Sequence, residues 1–301
     1  MPITIFGFQA LWSPYFLMAI LLMTVFYLLL MIKWRNVFPN SKPLTKKELL
    51  HFILAMVILY GIKGSPVDLM SHIMFSYHMV QMAILCLVLP PILIKGIPVW
   101  FWKYIIELPI IKPIFSLLTK PLMAAIAFNG LFSFYHIPAI LDKINKSGIF
   151  HGLFTVVLFG FALFMWWPLM NHLPEHSNLS GLRKVGYLIA DAVLLTPACG
   201  LIIFSGHPLY NTYSDPSSWL QSMQLCVPTN TLNGLELSGP ELFSNLPVIE
   251  DQQLGGVLMK IIQEVVYGIV LARIFFDWYR KEQLEADQIT EASLREHQTK
   301  W

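Results

Sequence analysis

Charge and cysteine are both scarce in this chain. Charged residues make up 13% of the 301 positions against 56% hydrophobic, too few to clothe a water-soluble surface, so an ordinary soluble domain is excluded. The three cysteines, Cys86, Cys199 and Cys226, have no C-x-x-C or C-x-x-x-C spacing, so no disulfide framework, zinc site or thiolate copper relay is supported. No Gly-rich phosphate loop, Walker sequence, Ser nucleophile elbow or internal repeat occurs, and hydrolase and ATPase readings lose their support. No Lys or Arg precedes the first apolar run in MPITIFGFQALWSPYF, the reverse of the order in a signal peptide.

What the chain has instead is long apolar runs. Crossing ~30 Å of hydrocarbon takes about 20 helical residues, and candidate spans are read at about 13–33, 48–62, 72–94, 119–140, 151–170, 185–205 and 254–276. The expected fold is all-α: a polytopic bundle of seven transmembrane helices over 1–276 and a charged tail over 277–301. Lys33, Arg35, Lys42, Lys46 and Lys47 follow the first span, and Lys95, Lys103, Lys112 and Lys120 the third. Arg183 and Lys184 precede the sixth, and Arg280, Lys281, Arg295 and Lys300 lie in the tail. The alternate connections hold only Lys63, Lys143 and Lys146. Positive-inside logic places the N-terminus outside, the C-terminus in the cytoplasm and the protein in the cell membrane, with lipid as a partner. The outer 207–253 loop carries Asp215, Glu236, Glu241, Glu250 and Asp251 and no basic residue. Such a loop attracts cations, not nucleic acid; its prolines predict a segment folded back on the outer face. Aromatics among lysines at 95–120 predict a short interfacial helix.

The third span holds polar groups where lipid asks for Leu. Around FSYHMVQMAIL, residues 75 to 85, Ser71 and Met74 just before it and His78, Gln81 and Met82 within it recur at helical spacing and predict one stripe facing protein, with His78 about 9 Å below the outer end. His72, His136, His151 and His207 map to the same half. Imidazole and thioether are ligand types for copper; helix-end histidines also sit at headgroups or bond loop carbonyls, and Met is common membrane filler. In the seventh span Glu264 falls about ten residues in. A carboxylate at that depth is paired, protonated or metal-bound, and Lys260 is the candidate partner. Met259, Gln263 and Tyr267 form the adjacent edge, Gly255 and Gly256 permit close helix approach, and Asp191 is a second buried acid suited to an interhelical hydrogen bond.

These stretches resemble the multi-spanning CtaG family of cytochrome c oxidase assembly factors, and closely the member serving a caa-type oxidase. The matching residues are SPVD at 65–68, HMVQ at 78–81, PPILIKGIP at 90–98, Tyr135, Pro138 and Asp142 with His151 beyond, and DQQLGG with Met259 and Glu264. The family commonly has a histidine where this chain has Met82, often a second histidine after His151 where this chain reads GLFTVV, and usually His-Pro where Lys120-Pro121 stands. The ligand set that survives these departures is His78, Met82 and His151, with Met74, Gln81, Met259 and Glu264 in support. The resemblance implies a non-enzymatic role in making active oxidase, with the oxidase subunits as partners. Copper supply to an outward-facing CuA centre is the finer expectation. Two alternatives stand beside it: a metal-free scaffold in which His78, Gln81 and Glu264 join helices, and a metal or proton permease with a Glu264–His78 relay. The latter lacks a second buried acid in the outer half and a pair of broken helices.

Overall fold

The computed structural model describes residues 1–170, 173, 179, 181–233, 235 and 237–299. Among these the protein is all-helical. In chain order the elements are α1 (Ile3–Lys33), α2 (Lys46–Lys63), α3 (Pro66–Ile73), α4 (Phe75–Gly96), α5 (Val99–Ile106), α6 (Ile111–Leu118) and α7 (Pro121–Tyr135). There follow α8 (Pro138–Ile144), α9 (Gly148–Met170), α10 (Gly181–Ile203), α11 (Asn211–Ser214), α12 (Pro216–Met223), α13 (Thr229–Asn233) and α14 (Val248–Thr299). Five helices are long and apolar enough to cross a membrane, and up to seven if the bent pairs α2–α3 and α6–α7 each count as one span. This is a membrane protein. The connection between the predicted fifth and sixth spans falls largely outside the described residues.

Local sequence fixes where the helices begin. Thr45 and Glu48 form a capping box ahead of α2, the Glu48 amide donating to Thr45 Oγ1 at 3.2 Å and the Thr45 amide to Glu48 Oε2 at 2.8 Å. Ser65 caps α3, with Pro66 at the first helical position. The Trp-rich 99–106 stretch forms the short helix α5, and α6 turns 85° into α7 at Lys120-Pro121. The charged tail continues α14 without a break through Thr299.

α4 is the centre of the bundle. Two-thirds of its apolar window (67%) is buried, against 17% for α1, which turns Leu21, Leu22, Val25 and Phe26 outward as lipid-facing surface. α14 packs against both α10 and α4, and Gly255 and Gly256 allow that approach. A Cβ on Gly255 would meet Phe75 Cδ1 at 2.8 Å, and one on Gly256 would meet Ile203 Cγ1 at 2.7 Å. Asp191 on α10 accepts from Asn129 Nδ2 on α7 at 2.6 Å and from the Tyr267 hydroxyl on α14, so three helices meet at one buried carboxylate.

The predicted single helix through Ser71, Met74 and His78 is broken. Met74 is extended (φ −127°, ψ 134°), ending α3 and starting α4, because α14 supplies a cap from a distant part of the chain. Asp251 accepts the Phe75 amide at 2.7 Å and the Ser76 amide at 3.4 Å, as well as the Ser76 hydroxyl, an anion placed on a helix N-terminus. The next residues of the DQQLGG stretch fasten the preceding loop: Gln252 Oε1 accepts from the Leu209 amide at 2.7 Å and Gln253 Nε2 donates to Ser205 O at 3.1 Å. The loop folds back over the end of the bundle that carries α3 and α8. There Trp219, Met223, Val227 and Leu232 pack with Leu69 and Ile73 of α3 and with Phe6 and Leu11 of α1.

Candidate functional site

Four histidines gather beneath this loop. His72 ends α3, His78 lies one turn into α4, His136 follows α7 and His151 lies near the start of α9. The His78 and His136 ring centroids are 5.8 Å apart, and those of His72 and His151 are 5.3 Å apart. Tyr135 lies 5.8 Å from His78, and Tyr213 from the loop lies 6.2 Å from it. His72, His78, His136 and Tyr135 are all buried.

The hydrogen bonds around these rings leave lone pairs over. His136 Nδ1 is 2.8 Å from Phe132 O and His151 Nδ1 is 3.0 Å from Asn145 Oδ1. Both partners are acceptors, so each Nδ1 carries the proton and each Nε2 is a bare lone pair. Among the described residues, the buried Nε2 atoms of His78, His136 and His151 and the Tyr135 hydroxyl have no hydrogen-bond partner. An orphaned buried polar group costs about 1–3 kcal/mol, and protein interiors rarely hold several together. Imidazoles oriented through Nδ1 with Nε2 free match the state in which histidine binds a metal.

The predicted site residues divide on this geometry. His78 pairs with His136 and His151 with His72, and Met82 is buried one helical turn deeper on α4. Met74 is buried at the break between α3 and α4 and packs with the loop cluster; Met259 is buried in the main core. Gln81 is buried but its amide is engaged at both ends. Nε2 donates to Ile62 O at 2.5 Å and Asp68 Oδ1 at 2.8 Å, while Oε1 accepts from Lys63 Nζ at 3.2 Å and Ser71 Oγ at 3.3 Å. That uses its full bonding capacity, and Gln81 fastens α4 to α2 and α3. Glu264 does not meet the histidines inside the bundle: its side chain is 61% exposed and bonds Lys260 Nζ at 2.8 Å. His207 is exposed on the loop.

Two residues outside the predicted ligand set come to light. His136 joins His78 through the α7 terminus, and the distant Cys226 of the loop reaches α3, its Sγ 3.6 Å from Asp68 Oδ2. Burial pushes the Cys226 thiol up well above its ordinary range. The one sequence signal for this second location was Asp68 and His72 at i, i+4 on a short helix, a spacing that puts two ligand types on one face.

The model of the family described as cytochrome c oxidase caa3 assembly factor (Caa3_CtaG) matches residues 25–281 of the chain. No curated protein and no solved structure matches. The match runs from the last part of α1 into α14 and includes all four histidines of the cluster, and the chain belongs to this family of assembly factors.

Proposed function

We propose that this member of the caa3 oxidase assembly factor family is a multi-pass cell-membrane protein that holds copper and supplies it to the outward-facing CuA centre of the oxidase. In this reading the N-terminus and the loop face outward, the 277–301 tail is cytoplasmic, and 1–276 is one transmembrane domain. The histidines His78, His136 and His151 carry the copper, with Met82 as a thioether for Cu(I). The observation that supports this most is the set of three buried imidazole Nε2 atoms without a partner among the described residues. Copper is cargo here, and the protein's own part is to orient the rings, exclude water and release the ion to an acceptor.

Deletion of the gene tests the reading. Cytochrome c oxidase activity falls sharply, a quinol oxidase without a CuA centre keeps working, and added copper partly restores the loss. His78→Ala, Met82→Leu and His151→Ala then act at least additively. Unchanged cytochrome c oxidase activity in the deletion strain overturns it.

A scaffold reading has one observation of its own. The Lys260–Glu264 pair sits on the open face of α14 beside exposed Ile261 and Val265, a place where a partner helix of an oxidase subunit finds polar anchors. Loss of the subunits themselves, unrelieved by copper, favours that reading. The permease reading is left without its relay, since Glu264 is exposed and paired with Lys260.

A further inference from the structure

We infer that Asp68, His72 and Cys226 form a second metal site, sharing no ligand with the copper set of His78, His136, His151 and Met82, which binds a borderline divalent cation of the zinc class and clamps the loop to α3. One carboxylate oxygen, one imidazole nitrogen and the Cys226 sulfur lie within 4.8 Å of one another. They converge from two stretches of chain more than a hundred residues apart. A mixed oxygen, nitrogen and sulfur set is the ligand chemistry of Zn(II), whereas Cu(I) selects thiolate and thioether and has little use for a carboxylate. Three protein ligands leave one tetrahedral position open for water or an exchanging group.

The carboxylate is already divided between two duties. Asp68 Oδ1 is held by Lys63 Nζ at 3.0 Å and Gln81 Nε2 at 2.8 Å, while Oδ2 faces the Cys226 sulfur. Lys63 and Gln81 therefore orient Asp68 from behind, in the manner of outer-shell partners that hold a ligand in place, and this gives the polar Gln81 of the third predicted span a use. His72 is buried against the His151 ring, and Asp68, Lys63 and Cys226 are only partly buried, so an ion reaches the site from the loop side. Binding forms a sulfur–metal bond and releases the thiol proton to solvent. His72 coordinates as neutral imidazole and Asp68 as carboxylate. The loop thus tied down is the one whose Tyr210 donates to His136 O at 2.8 Å and whose Tyr213 donates to Ser71 O at 2.9 Å. Clamping it fixes the cover over the histidines.

Co(II) titration of the full-length chain in detergent micelles tests the site, with displacement by Zn(II). The expected result is one equivalent of Co(II) with a sulfur-to-cobalt charge-transfer band that Zn(II) bleaches. Cys226→Ser abolishes the band, His72→Asn weakens binding beyond ~100-fold, and Gln81→Leu, which keeps all three ligands, weakens it by ~10-fold. His78→Ala and His136→Ala keep the band, which separates this site from the copper reading. A second measurement uses the unaltered protein alone: Zn(II) slows maleimide labelling of Cys226, while Cys86 and Cys199 are buried. No charge-transfer band, a band that survives Cys226→Ser, or labelling indifferent to Zn(II) overturns the inference. Bleaching by Cu(I) but not by Zn(II) overturns the assignment of metal class.

Discussion

His78 on α4 and His136 at the end of α7 stand with ring centroids 5.8 Å apart, and among the described residues neither Nε2 has a hydrogen-bond partner. The two helices are brought to this spacing by long-range contacts: Asp251 caps α4 from α14, and Tyr210 bonds the His136 carbonyl from the loop. The consequences for stability and metal binding can be measured separately.

Asp251→Ala removes the acceptor for the Phe75 and Ser76 amides and leaves them buried. The expected loss is about 1–3 kcal/mol, read as a lower thermal midpoint in detergent, with Asp251→Asn losing less because its side-chain oxygen still accepts. Equal stability of Asp251→Ala and the parent would show that α4 is started by something else.

Gly255→Ala and Gly256→Ala put a methyl at 2.8 Å from Phe75 Cδ1 and 2.7 Å from Ile203 Cγ1. Each is expected to destabilise by about 1–3 kcal/mol through overpacking. Gly268→Ala on the same helix meets nothing within 4 Å and is expected to be neutral or stabilising, by up to ~1 kcal/mol of helix propensity. The contrast within one helix is the test; similar behaviour at all three positions would refute the close approach.

Glu264→Gln is expected to leave the copper content of purified protein unchanged, because the carboxylate is exposed and bonded to Lys260. Its effect belongs to partner binding, read as the amount of oxidase subunit that co-purifies. Loss of copper on this substitution would return Glu264 to the metal site.

Reporter fusions settle orientation. Those after residues 40, 110, 178 and 285 are expected to read cytoplasmic and those after 145 and 230 external, as the basic residues imply. A cytoplasmic signal at 230 would put the loop and the histidines on the wrong side for a CuA centre.

The helices were legible because hydropathy and Gly/Pro placement are local properties of the chain, and His78 stood out by its depth in an apolar run. The close approach at Gly255 and Gly256 and the interhelical bond of Asp191 are legible on the same local grounds. The Lys260–Glu264 pairing is legible from its i, i+4 spacing, whereas the exposure of Glu264 is not, because depth along a helix does not give rotational phase. Met259, Gln263 and Tyr267 define the buried face at i, i+4, i+8, and Glu264, one residue on, is turned about 100° away from it. The break at Met74 could not be read from the 71–82 stretch, since its cause is a carboxylate some 176 residues later. Cys226 is not legible for a related reason: motif spacing reports ligands that are close in sequence, and this thiol reaches Asp68 only because the loop folds back over α3.

Copper per chain in protein purified from copper-replete membranes without chelators tests the central claim most directly. The account predicts about one tightly held copper in the parent and in Cys226→Ser, and loss of that copper in His78→Ala and His136→Ala while both variants stay folded. Copper at background level in the parent, or copper retained when both histidines are replaced, would contradict it.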